Sequence, residues 1–275
     1  MAIPSYFTTQ EKIGYWALRA FVMLVLLFLI APILIIMPLS FNSESFFSYP
    51  MPGYSMQWYD DFFFSERWQL ALKNSVFVAF FTTILATSLG TLAALGLSRG
   101  NFPAKGFVMA VLISPMIVPV IISALGMYLF YSRYNLTGTM IGIILAHTAL
   151  ATPFVVITVT ATLTGFDKTL MRAGASLGAA GHTVFFRVVM PLILPGVISG
   201  ALFAFVTSFD EVVVVYFIGS AELRTLPRQM FSGIREQISP TITAAATVLV
   251  IVSTLMLVTV ELLRRRTERL RGIRT

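Results

Sequence analysis

Six apolar stretches, each of about 20 residues or more, leave this chain one broad class of fold. They run over 20–39, 75–97, 107–130, 140–163, 192–217 and 242–263. A helix needs about 20 apolar residues to cross ~30 Å of hydrocarbon. Only helices and closed barrels satisfy their own backbone polar groups in lipid. The expectation is an all-α polytopic membrane protein with six transmembrane helices. Composition agrees, at 57% hydrophobic and 11% charged residues, where soluble domains carry about 25% charged. The absence of cysteine removes disulfide and thiolate chemistry. The first stretch is too long for a signal-peptide core, and no small-residue cleavage site follows it. It is expected to stay as an anchor, kinked at Pro32.

Lys and Arg set the orientation. With both ends inside, the inner groups are Lys12, Arg19, Arg99, Lys105, Lys168, Arg172, Arg187 and the tail Arg264, Arg265, Arg266, Arg269, Arg271 and Arg274, thirteen in all. The outer groups are Arg67, Lys73, Arg133, Arg224, Arg228 and Arg235, six in all. This excess places both termini in the cytoplasm. The net charge of +7 lies largely in one tail after an apolar run, which speaks for topology and anionic lipid, and against nucleic acid.

Between the apolar runs, three regions stand out. The first outer loop, 41–68, is crowded with Phe46, Phe47, Tyr49, Tyr54, Trp58, Tyr59, Phe62, Phe63, Phe64 and Trp68. It reads as an interfacial helix over 58–68 with Asp60, Asp61 and Glu66 facing water, or as a surface for an external partner or cationic solute. The last outer loop, 220–240, reads as amphipathic, lying on or re-entering the membrane. The third inner link, 164–190, divides into short helices over 167–177 and 182–190, split by Gly178-Ala179-Ala180-Gly181. Leu170, Ala173 and Leu177 share one helical face, and Phe185, Phe186 and Val189 give the second helix an apolar face. That much apolar surface on an inner loop fits a protein partner.

Inside the apolar runs, Pro115 and Pro119 bend or break the third, as a structural kink or as part of a pore lining; Pro153 in the fourth invites the same reading. His147 reads as a helix-to-helix hydrogen-bonding group. Asp210 and Glu211 are acids well inside the fifth run. Counting ~1.5 Å per residue from Pro191 puts Asp210 about 28 Å along, toward the outer side. The pair is either a structural hydrogen-bonding group or the place where a cation enters, with Ser208 beside it. No phosphate-binding Gly-Lys loop, H-E-x-x-H, G-x-S-x-G or Cys/His cluster occurs.

The inner link resembles the E-A-A-x-x-x-G-x(9)-I-x-L-P signature of permease subunits of ABC importers. Here it reads Arg172-Ala173-Gly174, Gly178 four residues on, then nine residues, then Val188-Val189-Met190-Pro191. The spacing matches; Arg172 replaces the Glu, Gly174 an Ala, Val188 an Ile and Met190 a Leu. Trp58-Tyr59, Ala71-Leu72-Lys73-Asn74-Ser75, Leu145-Ala146-His147, Ser208-Phe209-Asp210-Glu211 and Thr225-Leu226-Pro227 resemble the spermidine/putrescine branch, its second permease in particular.

The resemblance implies a type I importer permease fold in a bacterial inner membrane. It implies a single permease domain over 1–275, with 164–190 as a cytoplasmic coupling loop. Arg172, Ala173, Gly174, Leu177, Gly178, Ala179, Gly181, Phe185, Phe186 and Pro191 would dock on an ATPase. Arg172 reverses the family's charge at its position, so no specific ion pair is carried over. Partners would be a second permease, two ATPase subunits that bind ATP and Mg, and an extracytoplasmic binding protein. The chain itself would need no cofactor and would not be an enzyme. The implied cargo is a polyamine, or an opine, aminophosphonate or other small charged solute. Asp210, Glu211, Ser208, Pro115 and Pro119 would line its path. A secondary transporter or channel would also have six helices and buried acids, but leaves the inner link unexplained; a membrane enzyme lacks a motif.

Overall fold

Proline chemistry explains the sharpest feature of the architecture. In this computed structural model the third apolar run is two helices, α4 (Lys105–Ile117) and α5 (Val120–Ser132), which meet at 104°. The break is at Val118 and not at Pro115. The Pro119 ring disfavours helical geometry in the residue before it, and Val118 is extended, with φ −70° and ψ 132°. Pro115 is tolerated inside α4.

Residues 8–48, 50–99, 103–164, 166–167, 169–236 and 239–270 are described. The expectations attached to Tyr49, Lys168, Arg271 and Arg274, and to the side chains of Arg99, Arg235, Glu236, Arg264, Arg265, Arg266 and Arg269, lie outside that description. Among the described residues all regular structure is helical, apart from an isolated bridge between Asn42 and Tyr54. The remaining helices are α1 (Thr9–Leu39), α2 (Gln57–Phe64), α3 (Glu66–Arg99), α6 (Met140–Thr164), α7 (Thr169–Ser176), α8 (Gly181–Val184), α9 (Met190–Asp210), α10 (Val213–Ile218), α11 (Leu226–Glu236) and α12 (Thr241–Leu270). Among the described residues, four helical stretches are individually long and apolar enough to cross a membrane, or five with the bent α4–α5 pair. The sixth expected run is apolar over Thr241–Leu255.

The chain divides into two units, residues 1–64 with 233–262 and residues 65–232 with 263–275. In the first, α1 opens on a capping box between Thr8 and Glu11 and continues through Pro32, with no buried residue. The aromatic loop is tied by polar contacts. Trp58 Nε1 donates to the Asn42 carbonyl at 2.6 Å, and the Ser40 and Tyr59 hydroxyls are 2.6 Å apart. The expected 58–68 helix is instead the short α2, and Trp68 belongs to α3. Asp61, expected to face water, accepts a 2.7 Å hydrogen bond from Thr241 Oγ1 at the start of α12.

In the second unit α3, α6 and α9 pack around Ala86, Ala94, Ala151, Val155, Val159, Ile193, Val197 and Ala204. Small residues let these backbones close up. A Cβ at Gly200 would stand 3.0 Å from Val155 Cα, and one at Gly196 would stand 3.0 Å from the Thr158 carbonyl. In lipid, such close packing replaces the hydrophobic force that drives soluble helices together. A second cluster, including Val78, Ala124, Ile143, Val214, Val215 and Ile218, joins α5 and α10 to α3 and α6.

Candidate functional site

The third inner link forms a helix–turn–helix. Asp167 holds the first turn of α7, accepting from the Thr169 N–H at 2.9 Å and the Thr169 hydroxyl at 2.7 Å. These bonds lower the Asp167 carboxyl from its ordinary range, the backbone contact contributing most. Gly178 ends the helix with φ +79°, a left-handed geometry that costs a side-chain-bearing residue about 1–2 kcal/mol. Gly174 lies against Val184, where an added Cβ would meet Cγ2 at 3.1 Å. That approach folds the two short helices onto each other.

The link then runs into α9 through a π-helical stretch, Phe185–Val189. Pro191 has no N–H to return to the preceding turn. A widened turn is a known accommodation of a broken helical ladder, and here the Met190 N–H reaches back to the Phe185 carbonyl. The wide turn decides which aromatic points out. Phe186 is 65% exposed, whereas Phe185 packs on the core cluster and Val189 is buried. The single apolar face expected from Phe185, Phe186 and Val189 is therefore split. Leu170, Ala173 and Leu177 are exposed, Leu177 at 88%. Arg172, Gly181 and Pro191 are also exposed, and Ala179 is half-buried.

The acid pair lies at a helix break. α9 ends at Asp210, and Glu211 is extended, with φ −74° and ψ 120°. Glu211 Oε1 accepts from the N–H groups of Val213 and Val214, at 2.7 and 3.0 Å, and so caps α10. Asp210 is exposed at the C-terminal end of α9, ~30 Å from its start. The negative end of the helix dipole adds to its attraction for a cation. Ser208 is buried and engaged with His147 Nδ1 at 2.9 Å, the helix-to-helix bond expected of this histidine. Pro119 is exposed at the α4–α5 elbow and Pro115 half-buried.

One constellation escaped sequence reasoning. Asn74 Nδ2 donates to the carbonyls of Glu222 and Arg224, at 3.3 and 3.1 Å, and Ser75 Oγ accepts from the Leu226 N–H at 2.7 Å. Two of the strings singled out in the sequence, 71–75 and 225–227, thus form one clamp. The available signal was a polar Asn-Ser pair opening an apolar run.

Residues 86–270 match the family described as binding-protein-dependent transport system inner membrane component. The chain belongs to this family. It is 32% identical over 248 residues to the spermidine/putrescine transport system permease protein PotC of Haemophilus influenzae, covering 90% of this chain and 96% of that one. It is 32% identical over 229 residues to the putrescine transport system permease protein PotI of Escherichia coli (strain K12), covering 81% of each. A bacterial ABC transporter involved in the import of the acidic polysaccharide alginate superimposes with a TM-score of 0.73 at 13% identity, covering 94% of this chain and 98% of that one. The alginate transporter in complex with a pentasaccharide-bound periplasmic protein gives 0.72 at 16% identity, covering 94% and 96%. At such identity the likeness is one of fold. This inner membrane component is membrane-embedded and, among the described residues, helical in all its regular elements, as expected, and its helix–turn–helix occurs within the matched residues.

Proposed function

We propose that this chain is a permease subunit of an ATP-driven importer for small polycationic amines, and does no catalysis itself. The observation that carries the reading is the 169–189 helix–turn–helix, a short link exposing Leu170, Leu177 and Phe186. Apolar side chains displayed on a link between membrane helices fit a groove on another protein. The family supplies the nature of that protein, a separate ATPase subunit that holds ATP and Mg. The polyamine cargo rests on the PotC and PotI relatives and on Asp210 at the open end of α9.

In this reading the whole chain is one permease domain with 164–190 as its coupling loop. Six spans cross a bacterial inner membrane, the bent α4–α5 pair making the third and α12 the sixth, with both termini inside. A second permease completes the path, two ATPases drive it and an extracytoplasmic binding protein delivers the cargo. Closing of the ATPases on ATP shifts a two-state helix bundle through the docking loop. Asp210 meets the cation, while Ser208 and Glu211 hold the break that presents it.

The test is a gentle-detergent pull-down from the native membrane, followed by uptake of radiolabelled putrescine in vesicles. Recovery of an ATPase and a second permease, with ATP-dependent uptake, is expected. Uptake that follows an ion gradient and ignores ATP depletion would move the assignment to a secondary transporter. ATP-driven uptake of an anionic solute with none of putrescine would remove the polyamine.

A further inference from the structure

Arg224 and Arg228 are two half-buried guanidiniums with no ion-pair partner among the described residues. Both belong to the segment clamped by Asn74 and Ser75, at the start of α11. Arg228 Nη1 donates to the Ser220 carbonyl at 2.7 Å, and its guanidinium lies over the Tyr216 ring at 5.2 Å. Arg224 Nη1 reaches Gln229 Oε1 at 3.4 Å. The Nε of each is buried and has no hydrogen-bond partner. Neither makes an ion pair among the described residues. The nearby Glu222 carboxyl is fully exposed and engaged mainly by its own N–H and the Ser220 hydroxyl, Arg224 contributing least to its lowered pKa. Burial, and then the like charge of Arg224, press Arg228 below the ordinary arginine range.

A guanidinium offers five N–H donors in a planar fork that matches a carboxylate. Two of them, repelling each other and partly desolvated, leave positive charge that an incoming carboxylate would offset. The clamp holds the Arg224 backbone in place, which reduces the entropy lost on docking. An amine cargo would be repelled here, so the anion is sought on a protein surface.

We propose that Arg224 and Arg228 receive an acidic side chain of the extracytoplasmic binding protein when it docks. The proposal rests on the orientation given under Proposed function, which puts this loop outside.

The test uses the whole transporter in nanodiscs and the binding protein recovered with it, with affinity followed against NaCl concentration. Arg224→Gln should weaken association roughly tenfold at low salt and flatten the salt dependence. Arg224→Glu should weaken it further, and Arg224→Lys should retain part of the affinity. Arg133→Gln, at another outer arginine, should change neither quantity. An unchanged basal ATPase rate in the Arg224 variants shows that the complex is intact. Unaltered affinity and salt slope in both Arg224→Gln and Arg224→Glu would overturn the proposal, as would a raised uptake KM at unchanged affinity. Failure to recover any binding protein would overturn the importer reading itself, and this site with it.

Discussion

His147 Nδ1 and Ser208 Oγ lie 2.9 Å apart in the interior, joining α6 to α9 across 61 residues of sequence. The bond lies two residues before the break at Asp210, so it fixes the end of α9 from behind. Ser208→Ala would strip a buried imidazole nitrogen of its hydroxyl partner, at a cost of about 1–3 kcal/mol. A lower Tm of the purified transporter is the expected result. A double-mutant cycle with His147→Leu should give a coupling of similar size, because the two side chains form one contact. A Ser208→Ala transporter with wild-type Tm would show that the bond contributes nothing net.

Asp210 and Glu211 are adjacent but do different things, and substitutions should separate them. Glu211→Ala removes both acceptor contacts at the start of α10, and should destabilise by about 1 kcal/mol, the usual cost of a lost cap. Glu211→Gln keeps an acceptor oxygen and should retain most of that stability. Asp210→Asn should leave Tm unchanged and cut putrescine uptake at least tenfold, since only the charge is lost. Full uptake in Asp210→Asn would take Asp210 off the cation path.

The break between these two acids illustrates what the sequence could not disclose. Val212 to Val215 continue the apolar run without a proline or glycine, so nothing local marks an interruption. The capping carboxylate of Glu211 becomes visible only when α10 is seen to start there. Pro119 was the opposite case, because its effect on Val118 is local steric chemistry. The small-residue turn at 178–181 was equally readable, and Gly178 takes a positive φ within it. The inward turn of Phe185 was not, because a regular 3.6-residue count fails where the helix widens. The 74–75 to 226 clamp was hidden for a third reason: it spans 151 residues, and no periodicity encodes such a pairing.

Gly178 gives a test of the proposed docking role of the 178–181 turn by conformation alone. No atom lies within 4 Å of a Cβ added there, so Gly178→Ala meets no clash and its whole effect is backbone strain, about 1–2 kcal/mol. The bundle formed by α3, α6 and α9 should keep its Tm. ATP hydrolysis should continue while uptake per ATP falls, and Gly178→Pro should lower the ratio further. An unchanged ratio of solute moved to ATP consumed in both variants would remove the turn from the coupling path.

Asp167 makes α7 sensitive to acid. Its carboxyl is lowered in the folded chain by the Thr169 N–H and hydroxyl. A depressed folded value means that the stabilisation is present above the unfolded carboxylate range and is lost as pH falls through the folded value. Amide exchange across Thr169–Ser176 should therefore speed up, relative to the intrinsic rate, as pH drops below about 4. Asp167→Asn, which cannot ionise, should show the faster exchange already at neutral pH and no further step on acidification. Because the group is fully exposed, the effect should be confined to the first turns of α7 and leave protection in α9 unchanged. A step of equal size in the Asn variant would mean that another group carries the acid sensitivity of the loop.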